Sequence, residues 1–419
     1  MKLETLGENQ IIVTFIALAL LLIFAHIFGN LLEKIKGPRV VGEILGGMIL
    51  GGSCLFLLFP DFAKQVFFNY EGEGKVLNIF YQLGLIFLML LSGYNTDIKI
   101  DKRGTKNIVL IFLGATVLPM LCAIPFIKHF SPYFIGEVGN QLSFGFVFCI
   151  GVAITSIPVI SKIFFDMGIM NTKFANTILT VATFQDLCLW ILLNIATGIA
   201  ATGEINIPRM LLISAVTLGL FVIVALIAKK LPKERKSVKT RTLYTASFIA
   251  LLLTCGALSK LGINIMYSAF LVGYVIKAMF GKTDHIKQKI SSIEDFAFSF
   301  FVPIYFALVG IQLNVIHDFS LGRFLLFFAV AFILEFIGTW SALLFSKIKQ
   351  PARINFAVTM NARGGPGIVL ATVTYAAGII NLEFFTVLIL TTMISSMIAG
   401  YYLRYQQGKN PKIFDHFED

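Results

Sequence analysis

"TMNARGGPGIVL", residues 359–370, lies in the middle of an apolar run that extends from about 353 to 379. Gly364, Gly365, Pro366 and Gly367 follow directly behind Arg363. Proline removes a backbone donor and crowds the carbonyl four residues back, and glycines loosen a helix further. In hydrocarbon, backbone groups freed this way survive only where protein or a water-filled cavity satisfies them. The run therefore reads as a helix broken at its centre. A second break is expected in "AITSIPVISK" (153–162), where Pro158 sits behind Thr155 and Ser156.

Outward from these breaks the chain is mostly apolar. It is 57% hydrophobic and 14% charged, with a mean hydropathy of +0.85, far above an ordinary globular domain. Runs long enough to cross ~30 Å of hydrocarbon recur along its whole length. Thirteen spans are predicted: about 10–32, 38–57, 76–96, 105–128, 141–165, 173–200, 208–231, 240–261, 264–281, 295–314, 322–347, 353–379 and 382–404. The first is too long for a signal-peptide core and lacks a basic region before it, so it is read as retained. The fold class is an all-α polytopic membrane protein. Residues 282–296 read equally well as an amphipathic cytoplasmic linker helix or as a solvated loop.

A net charge of +11 raises the question of nucleic-acid binding, and the placement of the charges answers it. Of 34 lysines and arginines, 26 fall in loops after odd-numbered spans or in the C-terminal tail, including "KKLPKERKSVKTR" at 229–241. Seven fall at the N-terminus or after even-numbered spans, and Arg363 alone lies inside a span. That alternation is the positive-inside rule, with the N-terminus outside and the C-terminus in the cytoplasm. The five cysteines all lie in spans at no metal-ligand spacing, and no glycine-rich nucleotide fingerprint is present. No large soluble domain is expected.

Four charged side chains lie well inside spans: Glu43, Asp186, Glu335 and Arg363. A carboxylate at the centre of a membrane helix costs roughly 2.5–3.5 kcal/mol on insertion scales, so each is a functional candidate. Glu43, in "GPRVVGEILGG", has a plain packing role as an equal alternative. Asp97 and Asp166, at cytoplasmic span ends, suit capping or topology better. Spans 5 and 12 are seven apart, so the two broken helices cross the membrane in opposite directions. Spans 4–6 then match spans 11–13 as an inverted repeat, the best sequence pointer to a transporter's binding site. Two unrelated proline kinks are the plainer alternative, and the coincidence with Asp186 and Arg363 favours the repeat.

The chain resembles the monovalent cation/proton antiporters with the sodium/proton exchanger fold. The likeness runs through "GPRVVGEILGGMILG" (37–51), "GLIFLMLLSGYNTDI" (84–98), "ITSIPVISKIFFDMGI" (154–169), "FQDLCLW" (184–190), "FVPIYFALVGIQLN" (301–314) and "MNARGGPGIVLA" (360–371). The resemblance implies broken helices that cross near the bilayer centre beside an ion-binding aspartate. It assigns Asp186, Gln185, Thr155 and Ser156 to the cation (Na+ or K+) and proton, with Arg363, Glu335, Asn361 and Glu43 as charge-compensating or auxiliary groups. It also implies a transport core of 105–201 and 322–404, scaffold and dimerisation helices at 1–104, and further scaffold with the linker helix at 202–321. Residues 405–419 form the cytoplasmic tail. The partners are the monovalent cation, the proton, the lipid bilayer of the plasma (inner) membrane and a second copy of the chain.

Two departures stand out. Electrogenic members carry two adjacent aspartates on span 6, whereas Gln185-Asp186 resembles the glutathione-gated potassium-efflux branch, though without that branch's cytoplasmic nucleotide-binding domain. Glu335 stands where many relatives have a lysine. A single carboxylate that holds either a proton or a dehydrated cation enforces exchange, so the expected function is electroneutral cation/proton antiport by alternating access around Asp186. A cation channel or an ion-sensing membrane protein is the alternative. No enzyme constellation and no cofactor site are visible.

Overall fold

The computed structural model describes residues 5–67, 69–95, 105–170, 172–203, 240–261, 263–280, 284–313, 315–316, 319–410 and 413–414, with scattered positions between 208 and 226. Much of span 7, the basic stretch at 229–239, Asp97 and the side chain of Asp166 lie outside what is described. The described secondary structure is helical, apart from one isolated backbone bridge between Ile135 and Ile380. Among the described residues, eight helices are long and apolar enough to cross a membrane, and three shorter apolar ones accompany them. Every predicted span apart from the seventh coincides with a helix or a pair of helices. The protein is an integral membrane protein.

The chain separates into two compact units: residues 1–91 with 283–318, and 92–282 with 319–419. The expected scaffold stretch 202–321 is thus divided between them.

The first unit contains α1 (Glu8–Lys34), α2 (Arg39–Leu50), the short α3 (Leu55–Leu58) and α4 (Pro60–Phe67), and most of α5 (Glu73–Asn95). Its second segment holds α13 (Asp284–Phe296), which runs through a π-helical turn at 297–301 into α14 (Val302–Gln312). The linker is therefore helical from 284 to 296, and it is continuous with span 10 because no proline or glycine interrupts 284–301. Helices α1, α2 and α14 pack almost backbone to backbone. A Cβ on Gly42 would collide with the Phe28 carbonyl, one on Gly46 with that of Phe24, and one on Gly47 with that of Ala307. Small residues at such contacts let membrane helices associate without a hydrophobic driving force. Glu43 belongs to this packing: its Oε1 accepts from Arg39 Nε at 3.0 Å, and Arg39 Nη1 also reaches Glu33 at 3.3 Å.

The second unit holds two triplets of spans, each with a broken middle member. The first comprises α6 (Thr105–Phe112), a π-helical turn (113–117) and α7 (Leu118–Phe134), then α8 (Gln141–Val152) and α9 (Ile157–Asp166), then α10 (Lys173–Thr202). Between the triplets come α11 (Thr240–Lys260) and α12 (Ile265–Phe280). The second triplet is α15 (Leu321–Ala342), then α16 (Ala352–Met360) and α17 (Gly365–Ala376), then α18 (Leu382–Lys409). The inverted repeat and the two discontinuous helices are present as the sequence predicts.

Two aromatic clusters secure the triplets. Phe130, Phe134, Phe144, Phe148, Phe327 and Phe384 interlock with ring centroids 4.6–6.2 Å apart. Near the start of α10, Phe174 packs on Phe164, Phe356 and Phe414, and Phe414 is fully buried. The stretch read as a tail thus contributes Ile413 and Phe414 to the core.

Candidate functional site

The two broken helices meet where their backbones unwind, at 153–156 and 361–364. Pro158 sits in the first turn of α9 and Pro366 in the first turn of α17, where a missing N–H leaves no hydrogen bond unmade. The prolines therefore begin the second half-helices and the unwound residues precede them. Ser156 N donates to Ala362 O at 2.8 Å, and Thr155 Oγ1 donates to Met360 O at 2.5 Å. Gly364 makes the crossing possible, since a Cβ there would strike Ser156 and Val159. Ser396 Oγ on α18 donates to the Arg363 carbonyl.

Arg363, 1% exposed, binds the ends of the broken helices together. Its Nη2 donates to Val152 O at 2.7 Å, Ala331 O at 3.1 Å and Glu335 Oε2 at 2.7 Å, while Nη1 donates to Asn361 Oδ1 at 3.2 Å. Val152 is the last residue of α8, so the guanidinium rests on the negative end of that half-helix dipole. Glu335 Oε1 lies 3.3 Å from Thr155 Oγ1, whose single proton is directed to the nearer Met360 carbonyl. Asn361 Nδ2 donates back to Ala357 O at 3.0 Å. The structure thus gathers Thr155, Glu335, Asn361 and Arg363 into one bonded network.

Asp186 and Gln185 stand apart from it. Both lie on α10, which packs against all four half-helices, and they are 2% and 3% exposed. Gln185 Nε2 donates to Ala115 O at 3.2 Å, in the π-helical turn, and its Oε1 is buried without a protein partner. Among the described residues the Asp186 carboxylate has no hydrogen-bond or ion-pair partner, and its Oδ1 is buried. Ser156 Oγ accepts from Val159 N at 3.4 Å as the N-cap of α9. Glu43 belongs to the first unit, bonded to Arg39.

Sequence reasoning missed two partners, Ser396 and the Ala115 carbonyl. For Ala115 a signal exists: the α-helical donor to that carbonyl is the N–H of residue 119, which is proline. The carbonyl so released is the one Gln185 takes. Ser396 has no comparable signal, because a serine on a membrane helix ordinarily bonds its own preceding turn.

Paired interrupted helices from inverted repeats, with a buried carboxylate beside their crossing, define the class of secondary transporters. The chain belongs to the sodium/hydrogen exchanger, transmembrane family, which matches residues 17–405. It is 25% identical to the Na(+)/H(+) antiporter NhaS4 of Synechocystis sp., over 94% of this chain and 97% of that protein. It is 22% identical to the Na(+)/H(+)-K(+) antiporter GerN of Bacillus cereus, over 95% and 97%. Identity to Cation/H(+) antiporter 17 of Arabidopsis thaliana is 24% over 94% of this chain but 48% of that one. The chain spans about half the length of the plant relatives that it matches. Among solved structures it is similar to the sodium proton antiporter MjNhaP1 from Methanocaldococcus jannaschii, with a TM-score of 0.62 at 17% identity, covering 95% and 97% of the two chains. That likeness is one of fold.

Proposed function

We propose that the protein exchanges a monovalent cation, Na+ or K+, for a proton, with Asp186 as the group that carries one or the other. The observation that carries this reading is a buried carboxylate without a protein partner, on the helix that touches all four half-helices. An intramembrane charge held at such a cost serves a substrate pathway by default. Sodium and potassium take oxygen ligands. The Asp186 carboxylate and Gln185 Oε1 are available to supply them, and Thr155 and Ser156 retain lone pairs beside their existing bonds. Arg363 offsets Glu335, so the pair adds no net charge and Asp186 is left as the uncompensated carboxylate. One proton then moves against one cation, electroneutrally.

Alternating access would come from movement of a core formed by 105–201 and 322–404. The remaining helices would serve as the scaffold of a homodimer in the plasma membrane, with the N-terminus outside. The test is purified protein in proteoliposomes with a pH dye inside, challenged with sodium, potassium or lithium. Wild type is expected to shift internal pH on cation addition and Asp186→Asn to show no shift. Cation flux without any proton movement would identify a channel, and retained exchange in a folded Asp186→Asn protein would end the assignment of Asp186.

A further inference from the structure

Three buried polar groups without protein partners fall on one stripe of α10. They are Asp186 Oδ1, Trp190 Nε1 and Asn194 Nδ2, on residues 2%, 2% and 1% exposed. Spacings of four and eight residues keep side chains on one slowly winding face, and eight residues of helix cover about 12 Å. The stripe borders α12 for most of its length. The Trp190 ring packs on Tyr267 and Phe270, with centroids 6.3 and 6.5 Å away, and Leu187 joins Phe270 and Tyr274.

At the far end the orientation of Asn194 is set. Its Oδ1 accepts from Asn264 N at 2.9 Å, and Asn264 caps α12 through Met266 N at 2.8 Å. With its oxygen held there, the Asn194 amide must turn its N–H2 away from that bond. Buried polar groups with no protein partner hold ordered water where several of them converge. The neighbouring positions of α10 in the same turns, Leu187, Leu189 and Leu193, are apolar and buried, so beyond the Gln185-Asp186 pair the unpartnered polar groups of α10 follow this one line.

We infer that a file of ordered waters runs along α10 from Asp186 past the Trp190 indole N–H to the Asn194 amide. It conducts protons between Asp186 and the end of the unit where α11 joins α12. Each water accepts one proton and releases another, so no co-reactant is needed. The inference rests on Asp186 being the proton carrier of the exchange proposed above. In the orientation proposed there, the α11–α12 end faces outward. The file therefore serves the proton's route while Asp186 faces that side, and alternating access requires it to be interrupted in the opposite facing.

The experiment is radiolytic hydroxyl labelling of the whole purified protein read by mass spectrometry, paired with the proteoliposome assay. Radicals form from water in place, so a buried side chain is oxidised only where water is bound to it. Trp190 is expected to be oxidised in wild type despite its burial, and in Asn194→Leu about fivefold less, as a bound water loses a partner. Asn194→Leu and Trp190→Phe are both expected to slow proton-coupled exchange about tenfold, as the chain of water-mediated bonds is cut. A Trp190 left unoxidised in wild type overturns the file, and that result needs no variant to fold. Oxidation of Trp190 together with wild-type exchange rates in both folded variants overturns conduction along it. A wild-type protein that labels at Trp190 but exchanges no cation keeps the waters and refutes the antiport reading instead.

Discussion

At the scale of single residues, Asp186 and Arg363 are opposites. Arg363 spends its guanidinium on Glu335, Asn361 and two backbone carbonyls, whereas the Asp186 carboxylate has no partner among the described residues. Removing one member of a buried ion pair strands the other, at a cost of about 3–5 kcal/mol. Arg363→Ala is therefore expected to lower the melting temperature sharply and to reduce folded yield. Arg363→Lys is expected to fall between it and wild type, since one ammonium cannot reproduce a fork in which Nη2 serves Val152, Ala331 and Glu335 while Nη1 serves Asn361. Replacing both partners, as Glu335→Leu with Arg363→Met, is expected to recover much of the loss, because apolar replacement of a whole buried pair is often neutral. An Arg363→Ala protein that melts with wild type would show that the pair holds nothing together. Asp186→Asn reverses the pattern. It breaks no bond and removes a buried charge, so its melting temperature is expected to equal or exceed that of wild type while exchange is lost.

At the scale of elements, the crossing depends on how closely two unwound segments approach. Gly364→Ala places a methyl against Ser156 and Val159, and no flexible side chain lies there to yield. It is expected to destabilise the protein by more than the roughly 1 kcal/mol typical of point changes. Thr155→Val keeps the shape but leaves Met360 O without its donor, at a cost of about 1–3 kcal/mol for an unsatisfied buried group. Thermal melts of the two variants in one detergent check both. The breaks were legible in the sequence because proline and glycine act through local backbone chemistry that needs no knowledge of neighbours. The inverted order of spans followed from counting them. Pro119 marks the Ala115 carbonyl locally, but its bond to Gln185 joins residues 70 apart, and no local pattern names that partner. Glu335 was recognised as a charge out of place, but its pairing with Arg363 needed the geometry of three elements at once. Helix α4 also went unread, as eight residues in an interfacial stretch carry too short a pattern to separate from a loop.

At the scale of the whole molecule, the charge that moves with substrate sets how voltage acts. A membrane potential works on net charge carried, at about 2.3 kcal/mol per elementary charge per 100 mV. In the exchange proposed above Asp186 is neutralised by either a proton or a cation and Glu335 is balanced by Arg363, so a loaded cycle would carry none. Exchange rates in proteoliposomes are therefore expected to be equal under inside-positive and inside-negative potentials at fixed ion and pH gradients. Acceleration by one sign and slowing by the other would mean a second proton per cycle. Glu335→Gln would then be the variant to measure, because a return to voltage independence would place that proton on Glu335.

The contact between Arg363 and the Val152 carbonyl joins residues 211 apart in the chain. A ribosome adding roughly 5–20 residues per second needs on the order of 10–40 s to cover that distance. For that interval the first half of the repeat is already in the membrane with its break open. Val152, Thr155 and Ser156 then lack the partners that satisfy them in the finished protein. Biogenesis thus includes a period in which the nascent chain carries bare polar backbone at membrane depth, and the lateral gate of the insertion machinery or a membrane chaperone has to shelter it. Chains stalled before codon 363 are accordingly expected to be cleared by membrane proteases far faster than chains stalled just beyond α18, as a pulse-chase of the two truncations would record.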